Sequence, residues 1–428
     1  MSWGIGDRVG VAVSAGTIAT FNSRRPGPVP SLVLDFAGTG TLDPRVTFTR
    51  STTGTYYNSS GVLTTAAINE ARFDYNPSTL APLGLLIEQL STNLLLQSQN
   101  AFNTASYTKI ACTATDATIT APDGATTGST LTGTAGGYTQ YIQPTNATSL
   151  GISSASTNTI SIYLKAGTIS SVRFYMYNAV GGASLYGTFN LTTLTGVAGG
   201  NAGTPTISIV DAGNGWRRVA VTGNLGGSVG QFAIPVIYAD NGTFYMYGFQ
   251  AEALAFPTSY IPTTSAQVTR ASDNASMTGT NFSSWYNNQQ GTVYSEIASF
   301  TTFAVGGNRV GWQIDSGSGF TNRFVYNQSS SAMTVIVGGS VQANFSIPAP
   351  AAKAFTKNAF AYQTSLFNDS YNGTALSTIT SGSIPTVSRL ILGDDAISNS
   401  TPLNGWIKKF AFYPIAFTSS QNQALTGS

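Results

Sequence analysis

The chain has 428 residues, enough for roughly two or three domains with real apolar cores. Only 8% of them are charged and the net charge is +2, so neither nucleic acid nor an acidic membrane surface would find a field to bind. Histidine is absent, which removes the usual triad base, the commonest zinc ligand and the physiological pH switch, and the one cysteine, Cys112, has no intrachain disulfide partner.

Gly, Ser, Thr and Asn interrupt every apolar run well short of the 18 or so residues that span a bilayer, so no membrane insertion is expected. The run Val9–Val13 follows Asp7 and is too short for a secretion signal. Forty-six Gly with 20 Tyr and 23 Phe describe short strands joined by tight turns. Strict alternation at 159–165, 172–178 and 333–337, each run bounded by Gly, Ser or Asn, makes the chain all-β. So few charges also suit a homo-oligomer or a larger assembly better than a free monomer.

In chain order, residues 1–30 read as an arm that closes on Arg24-Arg25-Pro26-Gly27-Pro28-Val29-Pro30, whose prolines block ladder hydrogen bonds and stiffen a linker. Such an arm either anchors the chain by adding strands to a neighbour's sheet or folds back as a hairpin on its own domain. Residues 31–97 carry Leu32-Val-Leu-Asp-Phe36, Leu42-Asp-Pro-Arg-Val46, Arg72-Phe-Asp-Tyr-Asn-Pro77 and Gly84-Leu-Leu-Ile-Glu-Gln89. This order of motifs resembles an N-terminal module of bacteriophage structural proteins of the head spike, head fibre or tail fibre kind. At Gln89-Leu-Ser-Thr-Asn93 the chain departs from the family, which more often has a second acid and an arginine there.

Residues 98–265 resemble the carbohydrate-binding-module-like jelly roll that often follows in such proteins, through Ser161-Ile-Tyr-Leu-Lys-Ala-Gly167, Gly213-Asn-Gly-Trp-Arg-Arg218 and Tyr245-Met-Tyr-Gly-Phe-Gln-Ala-Glu252. The Asn-Gly pair before Trp216 is itself a hairpin signal. Residues 266–428 resemble a laminin-G or concanavalin-A-like sandwich, through Gly291-Thr-Val-Tyr-Ser-Glu-Ile297, the hairpin Ser370-Tyr-Asn-Gly-Thr-Ala375 and Asn404-Gly-Trp-Ile-Lys-Lys-Phe410. A short closing helix is expected after Thr418 or Ser419 as N-cap. The expected fold is thus a small N-terminal β module followed by two antiparallel β-sandwiches.

Two strands share a pattern, Phe174-Tyr-Met-Tyr177 and Phe244-Tyr-Met-Tyr247. Alternation puts Phe and Met on one face and Tyr175, Tyr177, Tyr245 and Tyr247 on the other, where phenol rings suit stacking on sugar C–H faces, so these four are the candidate glycan-binding residues. Ordinary sandwich packing or contact with a neighbouring subunit would use the same residues. Trp216 and Trp406 read as buried aromatics. Asp394-Asp395 with Asn399 offers oxygen ligands for calcium but no contiguous ligand motif, so no metal or cofactor is assigned.

A glycan-cleaving enzyme needs two carboxylates at a set separation. Of the four glutamates, Glu70, Glu88, Glu252 and Glu296, two fall in the recurring motifs, and Glu88 and Glu252 suit ion pairing or backbone capping better than catalysis. The basic pairs Arg24-Arg25, Arg217-Arg218 and Lys408-Lys409 are too scattered for nucleic acid and read as solvated strand edges. The expectation is a non-enzymatic virion protein made in the host cytoplasm and carried on the outer virion surface. It would be a head fibre, spike or decoration protein with lectin-like domains for host-glycan adhesion, held to other virion proteins by the arm and assembled as a homotrimer or another symmetric multimer. A receptor-binding tail fibre and a capsule depolymerase are the alternatives.

Overall fold

The computed structural model describes residues 28–428 except 100–101, 146, 229, 232, 302–308, 318–319, 329–330 and 396–400. The arm expected over residues 1–30 lies almost wholly outside the described residues, as does Asn399. The fold is all-β, and no helix among the described residues is long and apolar enough to cross a membrane.

The central part of the chain is a sandwich of two six-stranded antiparallel sheets. One sheet runs in the order Thr206–Asp211, Trp216–Asn224, Thr157–Ala166, Gly242–Glu252, Gly128–Gly133, Cys112–Ile119. The facing sheet runs Thr195–Gly200, Ser184–Asn190, Ser171–Asn178, Ala233–Ala239, Gln140–Pro144, Tyr107–Ile110. Phe174 and Met176 from one sheet meet Phe244 and Met246 from the other in a shared core, all fully buried, as the alternation requires. In the hairpin before Trp216, Asn214 (φ 51°) and Gly215 (φ 80°) are both left-handed, the backbone of a two-residue type I′ turn.

Alternation fails once, and the failure matters. Ser161 pairs with Gln250 but Tyr163 pairs with Tyr247, so an extra residue is accommodated at Gly248, whose φ is 65°. Beyond this bulge the core-facing residues are Phe249 and Ala251, and Gln250 and Glu252 turn to the outer face. A Cβ at Gly248 would come within 2.9 Å of the Tyr163 ring, so glycine is required both by conformation and by space.

The C-terminal sandwich packs an eight-stranded sheet on a seven-stranded one around Trp312, Phe324, Phe360 and Phe410. The segment 31–97 contributes to both of its sheets. Leu32–Asp35 and Pro82–Ile87 pair with Gly405–Tyr413, Phe73–Tyr75 extends the same sheet, and Thr47–Thr49 pairs with Asn274–Thr278 in the other. The sheet this segment makes for itself is the hairpin Gly54–Tyr57 with Leu63–Ala66. A segment that reads as one module in sequence is therefore woven into a sandwich whose other strands begin about 180 residues later. Its apolar strands need two covered faces, and the C-terminal sheets supply them. The closing helix Ser419–Gly427 carries a capping box between Thr418 and Gln421.

Where 31–97, the end of the jelly roll and the start of the C-terminal sandwich meet, Arg50, Arg72 and Arg270 are buried with Glu88, Asp273 and Glu252. Arg72 pairs with Glu88 at 2.7 Å and with Asp273, Arg50 pairs with Asp273 at 3.1 Å, and Arg270 lies 3.5 Å from Glu88. Glu88 also accepts from the backbone N–H (2.7 Å) and hydroxyl (2.6 Å) of Ser259, and Asp273 from the N–H of Glu88 (2.9 Å). Glu252 accepts from Ser91 Oγ and Thr258 Oγ1. Glu88 and Glu252 thus do the pairing and capping their sequence positions suggested.

Replacing Arg72 by Ala would leave two buried carboxylates short of a partner, which costs about 3–5 kcal/mol. Removing Arg217, whose pair with Asp211 at 2.6 Å is partly solvated, should cost about 1 kcal/mol or less. Denaturant midpoints of Arg72→Ala and Arg217→Ala should differ accordingly, and equal values would show that the buried network does not hold the junction.

Candidate functional site

The strand Ser171–Asn178 turns Tyr175 and Tyr177 to the outer face of its sheet, and neighbouring strands complete a surface around them. Register places Tyr186 opposite Tyr175, Tyr238 opposite Arg173 and Tyr141 opposite Tyr238. Tyr175 and Tyr186 stack with centroids 5.5 Å apart and planes 10° from parallel, while Tyr238 stands edge-on to Tyr175 at 5.5 Å and lies 5.3 Å from Tyr141. The rings lie down over the sheet, because Ile234 and Val236 share this outer face and are nonetheless only 5% and 1% exposed.

Gly199 lies opposite Tyr186, and a Cβ there would meet the ring at 2.5 Å, so glycine leaves the room in which the ring rests. The Arg173 guanidinium is 4.3 Å from the Tyr138 ring centre and 4.5 Å from that of Tyr186, fixing one end of the array. The hydroxyls of Tyr141, Tyr175, Tyr177, Tyr186 and Tyr238 have no hydrogen-bond partner among the described residues, and burial raises the Tyr177 and Tyr238 hydroxyls above their ordinary value. These phenols are therefore neutral donors and acceptors at physiological pH.

Tyr245 and Tyr247 do not join this surface. They belong to the opposite sheet, and their outer face is packed against the 31–97 segment and Tyr260. Tyr247 is 2% exposed, its hydroxyl donates to Gln99 Oε1 (2.9 Å) and Asp123 Oδ2 (3.1 Å), and Tyr245 is half-buried at the edge of the same cluster. The four candidate tyrosines thus split between two faces of the sandwich. Tyr141, Tyr186 and Tyr238 were not singled out in the sequence, although each alternates with a core residue, Ile142, Leu185 and Ile237, that gives its outward parity.

Trp216 and Trp406 are both buried, with indole N–H groups donating to Thr120 O (3.0 Å) and Asp74 Oδ2 (2.8 Å). Glu70 caps the N–H of Ala67 and Glu296 lies 3.7 Å from Lys408. Asp394 accepts from the N–H of Asp395 and from Thr401 Oγ1, and among the described residues no three His, Cys, Asp or Glu side chains are grouped to hold a metal ion.

A concave site lies at the junction, a cavity of about 260 Å³ walled by Tyr56, Tyr57, Tyr163, Phe300 and Trp406. Its charged lining includes Asp74, Arg218 and Lys353. Arg218 corrects the reading of Arg217-Arg218 as a solvated edge, since it sits on an interior strand and turns inward, 5.4 Å from the Tyr163 ring centre. Asp74 is held by the N–H of Tyr57 (2.8 Å) and the indole of Trp406, and burial pushes its carboxyl up to about 6.

No protein-family model matches the chain, and no curated protein matches it. Among solved structures, the chain is similar to the CBM40 module of Ruminococcus gnavus IT-sialidase bound to α2,3 sialyllactose (12% identity, TM-score 0.29, covering 33% of this chain and 84% of that one). It is also similar to a NanB sialidase mutant from Streptococcus pneumoniae (12%, TM-score 0.28, 36% and 26%). A third is the binding domain of botulinum neurotoxin DC in complex with rat synaptotagmin II (14%, TM-score 0.29, 36% and 40%). Function is therefore read from this chain's own side chains.

Asp74 gives a pH signature. Its folded value of about 6 lies above its ordinary 3.8, so the folded state holds the proton more tightly and Asp74's contribution to stability falls as pH rises between these values. Two units correspond to on the order of 3 kcal/mol. Wild type should lose this much more stability than Asp74→Asn between about pH 4 and about pH 7, measured by denaturant titration, and parallel profiles would refute the assignment.

Proposed function

We propose that this chain is a non-enzymatic structural protein of a bacteriophage virion, a head fibre, spike or decoration protein, whose jelly roll attaches to host-surface polysaccharide. The observation that carries the binding half of the reading is the row of five outward phenol rings, lying flat on an aliphatic floor with unshared hydroxyls. A pyranose stacks its C–H face on such a ring while its hydroxyls bond to the phenol oxygens. A broad shallow platform suits several consecutive sugars along a chain better than one enclosed terminal sugar.

The virion half rests on the motifs of 31–97 and their resemblance to phage structural modules. In this reading the chain sits on the outer virion surface as a homotrimer or another symmetric multimer, gripping its virion partner through residues 1–30. Weak contacts at each copy then add up through multivalency. A receptor-binding tail fibre would use the same face, and cryo-electron microscopy of the virion, locating the chain on head or tail, separates the two. All four glutamates hold structural partners, which favours binding over polysaccharide cleavage.

Saturable binding of host-cell polysaccharide by the full chain should weaken at least about tenfold, about 1.4 kcal/mol, in Tyr175→Ala and in Tyr186→Ala while the fold is retained. Tyr245→Ala should leave it unchanged. Wild-type affinity in both platform variants would sink the proposal.

A further inference from the structure

The junction cavity holds more positive charge than its own carboxylates balance. Glu88 reaches it but is committed to Arg72 and Ser259, and Asp211 at its edge is committed to Arg217 at 2.6 Å and to Ser78 Oγ at 3.0 Å. Both oxygens of Asp74 already accept hydrogen bonds, from Tyr57 and Trp406. Against these stand two cations. Arg218 donates from Nη2 to Ser161 Oγ at 3.2 Å, but its buried Nε has no hydrogen-bond partner and no carboxylate lies within ion-pair distance of it among the described residues. Lys353, at the exposed rim, has no ion pair among the described residues either, and crowding by protein and by Arg218 lowers its ammonium.

A largely buried guanidinium without a carboxylate is costly unless something anionic completes it. One guanidinium edge and one ammonium match a single carboxylate; the multiple N–H donors that usually cradle a phosphate are not part of this lining. The remaining wall is aromatic, Tyr56, Tyr57 and Trp406, which suits the C–H face of a sugar ring. The volume lies just under the range of about 300–1,000 Å³ for drug-sized ligands, limiting the occupant to about one ring.

We propose that this cavity is a second binding site, for a single carboxylated pyranose, with Arg218 and Lys353 holding the carboxylate and the aromatic walls holding the ring. The site is formed by three segments of the chain and is independent of the tyrosine platform, on the opposite sheet of the jelly roll. Occupancy would bridge those segments.

The test is isothermal titration calorimetry of the full chain with D-glucuronate, D-glucose and inorganic phosphate. The expected result is saturable glucuronate binding, with no binding of glucose or phosphate, weakened at least about tenfold in Arg218→Gln and several-fold in Lys353→Ala. Tyr175→Ala should bind glucuronate as wild type does, so failure of the platform and failure of the cavity are told apart. Lys353 is at the rim, so its variant keeps the test decisive if Arg218→Gln does not fold. No glucuronate binding at tens of millimolar, equal binding of glucose or phosphate, or wild-type affinity in Lys353→Ala would each overturn the proposal.

Discussion

The junction depends on burying three arginines and three carboxylates together. Arg50, Arg72, Arg270, Glu88, Asp273 and Glu252 come from positions up to 223 residues apart, and none is more than 1% exposed. A charge removed from water without a partner is far more costly than a packed apolar side chain, so the members of this set must arrive together or not at all. That requirement specifies one docking of the 31–97 segment on both sandwiches, where apolar packing alone would tolerate several. It also takes six charges out of a chain that has 19 basic and 17 acidic residues, which deepens the poverty of its surface charge.

The docking decides which face of the jelly roll is available. Both sheets carry the same Phe-Tyr-Met-Tyr pattern and both turn tyrosines outward. On one sheet the outward side is closed by Tyr260 and the hairpin region of 31–97, so Tyr247 becomes an interior hydrogen-bonding group. On the other, nothing among the described residues closes over Tyr175, and its neighbours assemble into a platform. Identical local chemistry thus serves packing in one place and surface recognition in the other, and the difference is set by the ion network on the far side.

What was legible in the sequence is what local physics controls. Strand alternation gave the core faces of 172–178 and 333–337, the Asn-Gly pairs gave hairpins at Asn214 and Asn372, where φ is positive, and Thr418 gave a capped helix. Pairing between strands is not local, so neither the ring neighbours Tyr186 and Tyr238 nor the weaving of Leu32–Asp35 into the C-terminal sheet could be read from spacing. Arg218 was missed for the same reason: an arginine beside another on a strand reads as solvated, and only the arrival of 31–97 over that face encloses it.

The bulge at Gly248 links these levels. Without it, strict alternation from Met246 would point Gln250 and Glu252 into the apolar core of the jelly roll, where a carboxylate has no partner. The extra residue shifts the parity, sends Glu252 to Ser91 and Thr258, and sends Gln250 to the N–H of Ile261, so the strand leaves the sandwich already bonded to the chain that will cover it. One left-handed glycine therefore converts a core strand into a connector, and the closed face behind Tyr247, the buried arginines and the cavity beside Arg218 all lie downstream of that single change of register.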